Sequence, residues 1–294
     1  MHGATDGWSF PVGLTAALLL FALIYVRGWL RVRRVASTAI PPWRAAAFIL
    51  GLVALWTALG SPLEAMDHEL LLIHMVEHVL VASVAPPLIW LSAPVLPMWL
   101  GGPRWLGSRA HAAIASGALR PLRLLVTHPI TPWLAASLAI LGWHVPAAFE
   151  LAQQSPSWHW LQRVSFLATG LLFWWPVVRP WSAVARLPHA AVPLYLFAAT
   201  LPCDALSAFL VFCDRVVYRQ YLAVPRHVGM SALADQQAAG AFMWVSITFL
   251  YVVPAIAMTV RALSPAGQRD GRESEPWTDT SSICSRRSRS ATSS

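Results

Sequence analysis

The sequence predicts an all-α, polytopic membrane helix bundle with seven transmembrane helices, because it is apolar throughout and contains seven long hydrophobic segments. Its 294 residues are 57% hydrophobic and only 12% charged, whereas a soluble domain carries about 25% charged residues. A helix of about 20 apolar residues is long enough to span a bilayer. The predicted spans lie near residues 10–30, 43–60, 70–92, 129–146, 164–180, 189–212 and 237–261.

The distribution of basic residues predicts the orientation of these spans. All 21 basic residues are arginine. Seventeen of them fall in alternate connections, at 27–44, 97–127, 179–188 and 261–294. Positively charged loops remain in the cytoplasm, so we expect the N-terminus outside and the C-terminus in the cytoplasm. The net charge of +8 therefore indicates orientation and contact with the lipid bilayer, and no nucleic acid partner.

The chain is predicted to form one membrane domain, residues 1–263, followed by a tail, residues 264–294. The tail is rich in Ser and Arg, has too few apolar residues to form a core, and is predicted to be a disordered cytoplasmic segment. The first span lacks the positive flank of a signal peptide, so we expect it to be retained. Residues 213–236 form the longest outer connection and are expected to cover the mouth of the bundle, while 101–127 is expected to hold an interfacial helix.

The most informative motif is His74-Met75-Val76-Glu77-His78, near the outer end of the third span. Two histidines four residues apart project from the same face of a helix. Imidazole pairs of this kind bind transition metals. Ionisable side chains are costly at membrane depth and usually have a function there.

Further polar residues are expected at the same, periplasmic end of the bundle. His144 lies at the outer end of the fourth span and His159 in the outer loop that follows it, while the opposite end receives His111, His128 and His189. Asp235 and Gln236 open the seventh span from outside, and Asp204 lies in the outer half of the sixth. The topology thus predicts one periplasm-facing pocket that contains most of the metal-binding side chains.

Three kinds of chemistry fit this pocket. Imidazole and thioether ligands suit copper, with thioether favouring Cu(I), so the pocket would suit a copper carrier. His-x-x-Glu-His is also the pattern of a zinc metalloprotease, in which Glu77 would act as the base. A haem would need His144 as the partner of His74, because His74 and His78 share one face and cannot approach one iron from opposite sides. Cys203 and Cys213 form no Cys-x-x-Cys motif and are interpreted as small buried residues.

Four stretches of the chain resemble motifs of the multi-span cytochrome c oxidase assembly factor CtaG family. They lie in order along roughly residues 60–260 and each falls on a predicted helix. They are 74–78 running on to Ala85-Pro86-Pro87 and Ala93-Pro94, Trp143-His144-Val145-Pro146, the run from Phe166 to Pro176, and the run from Asp235 to Trp244. One position departs from the family, which often has a histidine where Gln162-Arg163 stands here.

The resemblance implies an inner-membrane protein of bacteria that helps to assemble haem–copper oxidases and is not an enzyme. Its expected role is to bind copper, as Cu(I), and to supply the CuB centre. Its expected partners are oxidase subunit I and a periplasmic copper donor. The ligands we then expect are His74, His78 and His144, with His159 as a further candidate. Glu77, Asp235 and Gln236 would fix the imidazole tautomers through hydrogen bonds.

Overall fold

The computed structural model of the protein describes residues 9–35, 40–103, 128, 130–178, 191–223 and 229–263. All regular structure within these ranges is helical. The helices, in chain order, are α1 (Val12–Val35), α2 (Pro42–Gly60), α3 (Leu63–Met66), α4 (Leu71–Val79), a π-helical turn (Leu80–Val84), α5 (Ala85–Leu91), α6 (Val95–Gly101), α7 (Ile130–Trp143), α8 (Pro146–Gln154), α9 (Pro156–Val178), α10 (Val192–Phe212), a 3₁₀ turn (Arg219–Leu222) and α11 (Ala232–Leu263).

The predicted bundle of membrane-spanning helices is confirmed. Among the described residues, six helical stretches are long and apolar enough to cross a membrane, and the bent pair α7 and α8 makes a seventh if its two halves are taken as one span. The two halves of that pair meet at 76°. Pro146 accounts for the break, because a proline at the start of a helix cannot continue the hydrogen-bond ladder of the preceding one. His144 therefore lies in the bend and does not end a straight span.

The third span is continuous but changes its winding just below the histidine motif. Pro86 and Pro87 lack the amide hydrogens that would bond to carbonyls four residues earlier. The amide of Ala85 donates instead to the carbonyl of Leu80, which widens the turn at Leu80–Val84 to a π-helix. Turns of this kind are frequent at functional sites. Here the π turn separates the polar end of the span, α4, from its apolar end, α5.

The helix α9 begins earlier than the sequence predicted. The prediction placed His159 in an outer loop, but the structure has it in the first turn of α9 and the loop assignment is wrong. Pro156 suits the first helical position, where its missing amide hydrogen costs nothing, and the amide of His159 donates to the Ser155 carbonyl at 2.9 Å. Farther along α9, Gly170 lets the helix lie directly on the π turn, because a Cβ there would be 2.5 Å from the Ala82 carbonyl oxygen.

The end of the bundle that contains the histidines, here called the histidine end, is covered by the connection between α10 and α11. Tyr218 and Tyr221 from this connection are 2% exposed. The Tyr218 hydroxyl donates to the His144 carbonyl at 3.0 Å, and the Tyr221 hydroxyl donates to the Asp67 carbonyl at 2.9 Å. The described part of 213–236 thus folds over the bundle, as expected. The segment 104–127, the tail 264–294, His111 and His189 lie outside the described residues.

Candidate metal site

The four predicted ligand histidines come together at the histidine end. The rings of His74 and His78 lie 4.1 Å apart, centroid to centroid. His159 on α9 lies 5.9 Å from His74, and His144 in the α7–α8 bend lies 5.7 Å from His78. All four are buried, with exposed fractions of 0% to 6%. Residues from three separate spans therefore form one row of imidazoles in the order His159, His74, His78, His144.

His78 is the least satisfied polar residue in this row. Neither of its ring nitrogens has a hydrogen-bond partner in the described parts of the chain, although both are buried. The Nε2 atom of His74 is in the same situation, while its Nδ1 accepts from the Gln153 amide at 3.2 Å. Each buried polar atom left without a partner costs about 1–3 kcal/mol. A metal ion bound to the lone pair of His78 would recover this cost at one of its two nitrogens.

The hydrogen bonds of His144 leave a lone pair directed at a sulfur atom. Its Nδ1 lies 2.6 Å from the Ile140 carbonyl oxygen, which only accepts, so Nδ1 carries the hydrogen and Nε2 is bare in the neutral ring. Nε2 lies 3.4 Å from Sδ of Met75, which is also an electron-pair donor. His144 and Met75 would therefore offer an imidazole and a thioether to a metal ion, two ligand types that suit copper.

A second group of ligand atoms lies nearer the surface. Asp67, His68 and His159 each offer one ligand atom, and these atoms are within 4.8 Å of one another. The Asp67 carboxylate is 0% exposed, and its Oδ1 atom lacks a hydrogen-bond partner among the described residues. His68 is half exposed and connects this group to solvent. The same carboxylate lies 3.7 Å from Nδ1 of His74, so the surface group adjoins the buried row.

Arg163 organises the acidic side of the site. Its guanidinium binds Glu77 through two bonds of 2.6 and 2.9 Å and Glu64 at 2.8 Å. Asp67 lies 3.4 Å away. One positive charge thus faces three carboxylates, and when all three are ionised the cluster has a net charge of −2. An excess of negative charge in a low-dielectric region attracts cations.

The three residues predicted to orient the imidazoles have other contacts in the structure. The hydrogen bonds of Glu77 go to Arg163. Asp235 accepts from the amides of Leu71 and Leu72 at 2.9 and 3.1 Å, and so caps the N-terminus of α4. Gln236 binds the covering connection, with its Oε1 accepting from the Val217 amide at 2.7 Å. Asp235 and Gln236 therefore fix the helix that carries the histidines and the segment that covers them.

The site residues expected from the sequence do not include Arg163, Asp67 or Met75. Arg163 stands where the resemblance leads us to expect a histidine. The sequence does indicate a role for Arg163, because a lone arginine inside an apolar helix requires buried partners. Asp67 stands in a short acidic segment, 64–69, that precedes the histidine motif. Methionine is most often a filler residue, so the residue type alone does not indicate a ligand at Met75. Its contact with His144 depends on the bend after α7, which the sequence did not reveal.

The fold and this cluster define a multi-pass membrane protein with a buried polar centre at one end. Comparison with known families makes the assignment specific: residues 23–264 match the family described as cytochrome c oxidase caa3 assembly factor (Caa3_CtaG). The chain belongs to this family, and the resemblance found in its motifs is confirmed.

Individual relatives are more distant. The chain is 25% identical over 267 residues to an uncharacterized protein of Mycobacterium leprae, an alignment that covers 85% of this chain and 38% of the relative. Uncharacterized proteins of Mycobacterium bovis and Mycobacterium tuberculosis are 26% identical over 269 residues, which is 86% of this chain and 39% of each relative. The chain thus spans less than two fifths of the length of these relatives. No solved structure matches it significantly.

Proposed function

We propose that the protein binds copper at the histidine end and supplies it to the CuB centre of a haem–copper oxidase. His74, His78 and His144, beside the Met75 sulfur, would hold the ion. Asp67, His68 and His159 would receive it from a donor at the surface. Under this proposal the histidine end faces the periplasm, the membrane is the bacterial inner membrane, and the acceptor is oxidase subunit I.

The observation that carries this proposal is that the row contains imidazole nitrogens whose lone pairs are not used in hydrogen bonds within the described structure. His78 has two ring nitrogens without hydrogen-bond partners in the described structure, and the bare Nε2 of His144 faces a thioether sulfur. Imidazole and thioether together are ligands that select copper, above all Cu(I), over harder cations. Three or four neutral donors also leave the charge of a monovalent ion low, which suits a site at membrane depth.

Two features weigh against the protease alternative. Glu77 would have to act as a general base, which requires a carboxylate free to take a proton from a metal-bound water. Its two oxygens instead accept from Arg163. In addition, the ring centroids of His74 and His78 lie 4.1 Å apart, and both rings are buried inside the site. A substrate peptide would have to displace the covering tyrosines to reach them.

The geometry also disfavours haem. The cavity beside His78 and His144 has a volume of about 20 Å³, close to that of a single small ion or water. A cofactor of the size of haem occupies several hundred Å³. The other side chains around the two rings are closely packed, and Phe166 lies 4.4 Å from the His78 ring. The space therefore fits an ion better than a macrocycle.

The direct test is the copper content of the purified full-length protein after anaerobic loading with Cu(I). We expect about one copper per chain in the wild type and its loss in His74→Ala/His78→Ala. His128→Ala is the matched control. His128 is exposed and lies just before the first residue of α7, whereas His144 follows the last residue of that helix. The control should retain wild-type copper. Retention of copper by the double variant would overturn the proposed site, and retention of zinc in preference to copper would favour the protease.

A second measurement tests delivery. Cells that express His78→Ala in place of the wild-type chain should contain cytochrome c oxidase with less copper at CuB and lower activity, while the variant remains in the membrane at normal abundance. Cells expressing His128→Ala provide the reference. Normal oxidase copper in the His78→Ala cells would show that the site does not supply CuB, even if the purified protein binds the metal.

A further inference from the structure

Gln153 of α8 connects the buried row of histidines to the surface group, which consists of Asp67, His68 and His159. Its Oε1 atom lies 2.5 Å from Nδ1 of His68, and its Nε2 atom lies 3.2 Å from Nδ1 of His74. His68 lies in the turn before α4 and is half exposed, whereas His74 is 0% exposed. A single amide group therefore bonds to one histidine on the solvent side of the site and to one inside it.

The two bonds assign opposite tautomers to the two histidines. An amide oxygen only accepts, so Nδ1 of neutral His68 carries the ring hydrogen and its Nε2 has a free lone pair. An amide nitrogen only donates, so Nδ1 of neutral His74 is bare and its Nε2 carries the hydrogen. This Nε2 atom has no hydrogen-bond partner among the described residues, and a protonated nitrogen offers no lone pair to a metal ion. With the amide in this orientation, His68 is ready to bind a metal ion and His74 is not.

The surroundings of His68 suit this orientation when a cation occupies the surface group. The bare Nε2 of His68 lies 3.4 Å from Oδ1 of Asp67, a carboxylate oxygen without a hydrogen-bond partner in the described ranges. Two electron-pair donors that face each other repel, and a cation between them removes the repulsion. His159 adds a third ligand, and the ligand atoms of the three residues lie within 4.8 Å of one another.

The opposite orientation of the amide suits the site once the cation has left the surface group. The amide nitrogen then donates to Nδ1 of His68, and the amide oxygen accepts from Nδ1 of His74. Nε2 of His68 carries a hydrogen that it can donate to Asp67, while Nε2 of His74 is bare. The Asp67 carboxylate lies 3.7 Å from Nδ1 of His74 and favours a hydrogen there. Each ring releases one proton to solvent and takes one up, so neither ring changes its charge.

We propose that Gln153 is a positioning residue that couples the two groups, so that His68 and His74 offer their Nε2 lone pairs in turn and not together. The proposal rests on the proposed function and deepens it, because it assigns the step between entry of copper and its binding in the row. A cation in the surface group keeps the amide in its present orientation. When the cation leaves that group, the amide turns over and the row gains His74 as a ligand.

Gln153→Glu tests this coupling in the full-length protein. A carboxylate only accepts, so it should hold the ring hydrogen at Nδ1 of both histidines and leave both Nε2 atoms bare. We expect one tightly bound Cu(I) per chain in the wild type and two in Gln153→Glu, the second bound about tenfold more tightly than in the wild type. His68→Ala/Gln153→Glu should bind one again. Gln154→Glu is the matched control, because Gln154 is exposed, bonds to Glu150 and would introduce the same charge one residue away.

Nitrogen NMR of the metal-free protein with labelled histidines reports the tautomers without any need for copper. The signals of His68 and His74 are assigned by their loss in the two single alanine variants. We expect opposite tautomers in the wild type, because either orientation of the amide gives one ring a hydrogen at Nδ1 and the other a hydrogen at Nε2. We expect the hydrogen at Nδ1 of both rings in Gln153→Glu. The wild-type spectrum decides the question even if Gln153→Glu does not fold.

The outcomes separate this inference from the proposed function. Opposite tautomers in the wild type support the coupling, and so does a second copper in Gln153→Glu that is missing in Gln154→Glu. Matching tautomers in the wild type overturn the coupling, as does a second copper in both glutamate variants, which would be an effect of charge alone. An unchanged copper content in folded Gln153→Glu also overturns it, and the histidine site stands if the wild type binds Cu(I). A wild type that binds no Cu(I) overturns the proposed function and, with it, the coupled transfer.

Discussion

Arg163 and Glu77 form a two-bond ion pair that joins α9 to α4 at the centre of the histidine end. The guanidinium Nε lies 2.6 Å from one carboxylate oxygen and Nη2 lies 2.9 Å from the other. Both residues are less than 5% exposed. The pair aligns the helix that carries His159 with the helix that carries His74 and His78, so the spacing of the imidazoles depends on it.

Removing one member of this pair is expected to destabilise the protein strongly. A buried charge that loses its partner costs about 3–5 kcal/mol. Arg163→Gln should be worse than Glu77→Gln, because Arg163 also serves Glu64 and Asp67. Thermal unfolding in detergent measures the effect. Arg215→Gln is the control: Arg215 is 90% exposed, so the change should stay within about 0.5 kcal/mol. Equal stability of Arg163→Gln and Arg215→Gln would contradict the role of the pair.

Asp235 is expected to act through the N-terminus of α4. Its two oxygens accept from the amides of Leu71 and Leu72, and loss of such a cap costs about 0.5–2 kcal/mol. Asp235→Ala should therefore lower stability and weaken copper binding by shifting His74. Asp235→Asn retains one acceptor oxygen, so it should lose less stability and less copper affinity than Asp235→Ala. Unfolding and Cu(I) competition measured on the same samples test this. A copper affinity that is unchanged in Asp235→Ala would show that the cap does not position the ligands.

Gly170 is expected to tolerate no side chain. A Cβ at this position would lie 2.5 Å from the Ala82 carbonyl oxygen and 2.9 Å from the Pro86 ring, so Gly170→Val must push α9 away from the π turn. Overpacking of this kind costs about 1–3 kcal/mol. Gly142→Ala is the matched control, since a Cβ there meets nothing within 4 Å, and a helical alanine should be neutral or stabilising. The unfolding temperature of each variant is compared with that of the wild type. Equal decreases in the two variants would show that the close contact at Gly170 is unimportant.

The parts of this molecule that depend on local sequence could be predicted, and those that depend on packing could not. The spans follow from apolar length, and the shared face of His74 and His78 follows from their spacing of four residues. Orientation in the membrane stays a prediction. The partner of Glu77, by contrast, is 86 residues away, and no periodicity relates two residues on different helices. The contact between Met75 and His144 likewise requires the bend after α7.

The tyrosines of the covering connection lead to a prediction on pH. Tyr218 donates to the His144 carbonyl at 3.0 Å, and its ring stacks on Phe149 at 4.1 Å. Tyr218→Phe should keep the stacking and cost about 0.5–1.5 kcal/mol, the value of one hydrogen bond. Burial raises the pKa of Tyr218 above its ordinary value of 10.0. An acid whose pKa is raised in the folded state stabilises the fold fully below its unfolded pKa and loses that contribution as the pH rises beyond it.

The difference in stability between wild type and Tyr218→Phe should therefore be constant up to about pH 9 and shrink above pH 10. Unfolding by denaturant at pH 8 and at pH 10.5 measures it, with Tyr221→Phe as a parallel variant because burial also raises the pKa of Tyr221. If the difference grew with pH, the phenol would have to be ionised in the folded state, and it could no longer donate to the His144 carbonyl. The hydrogen bond that holds the covering connection over the histidine end would then have to be replaced by another contact.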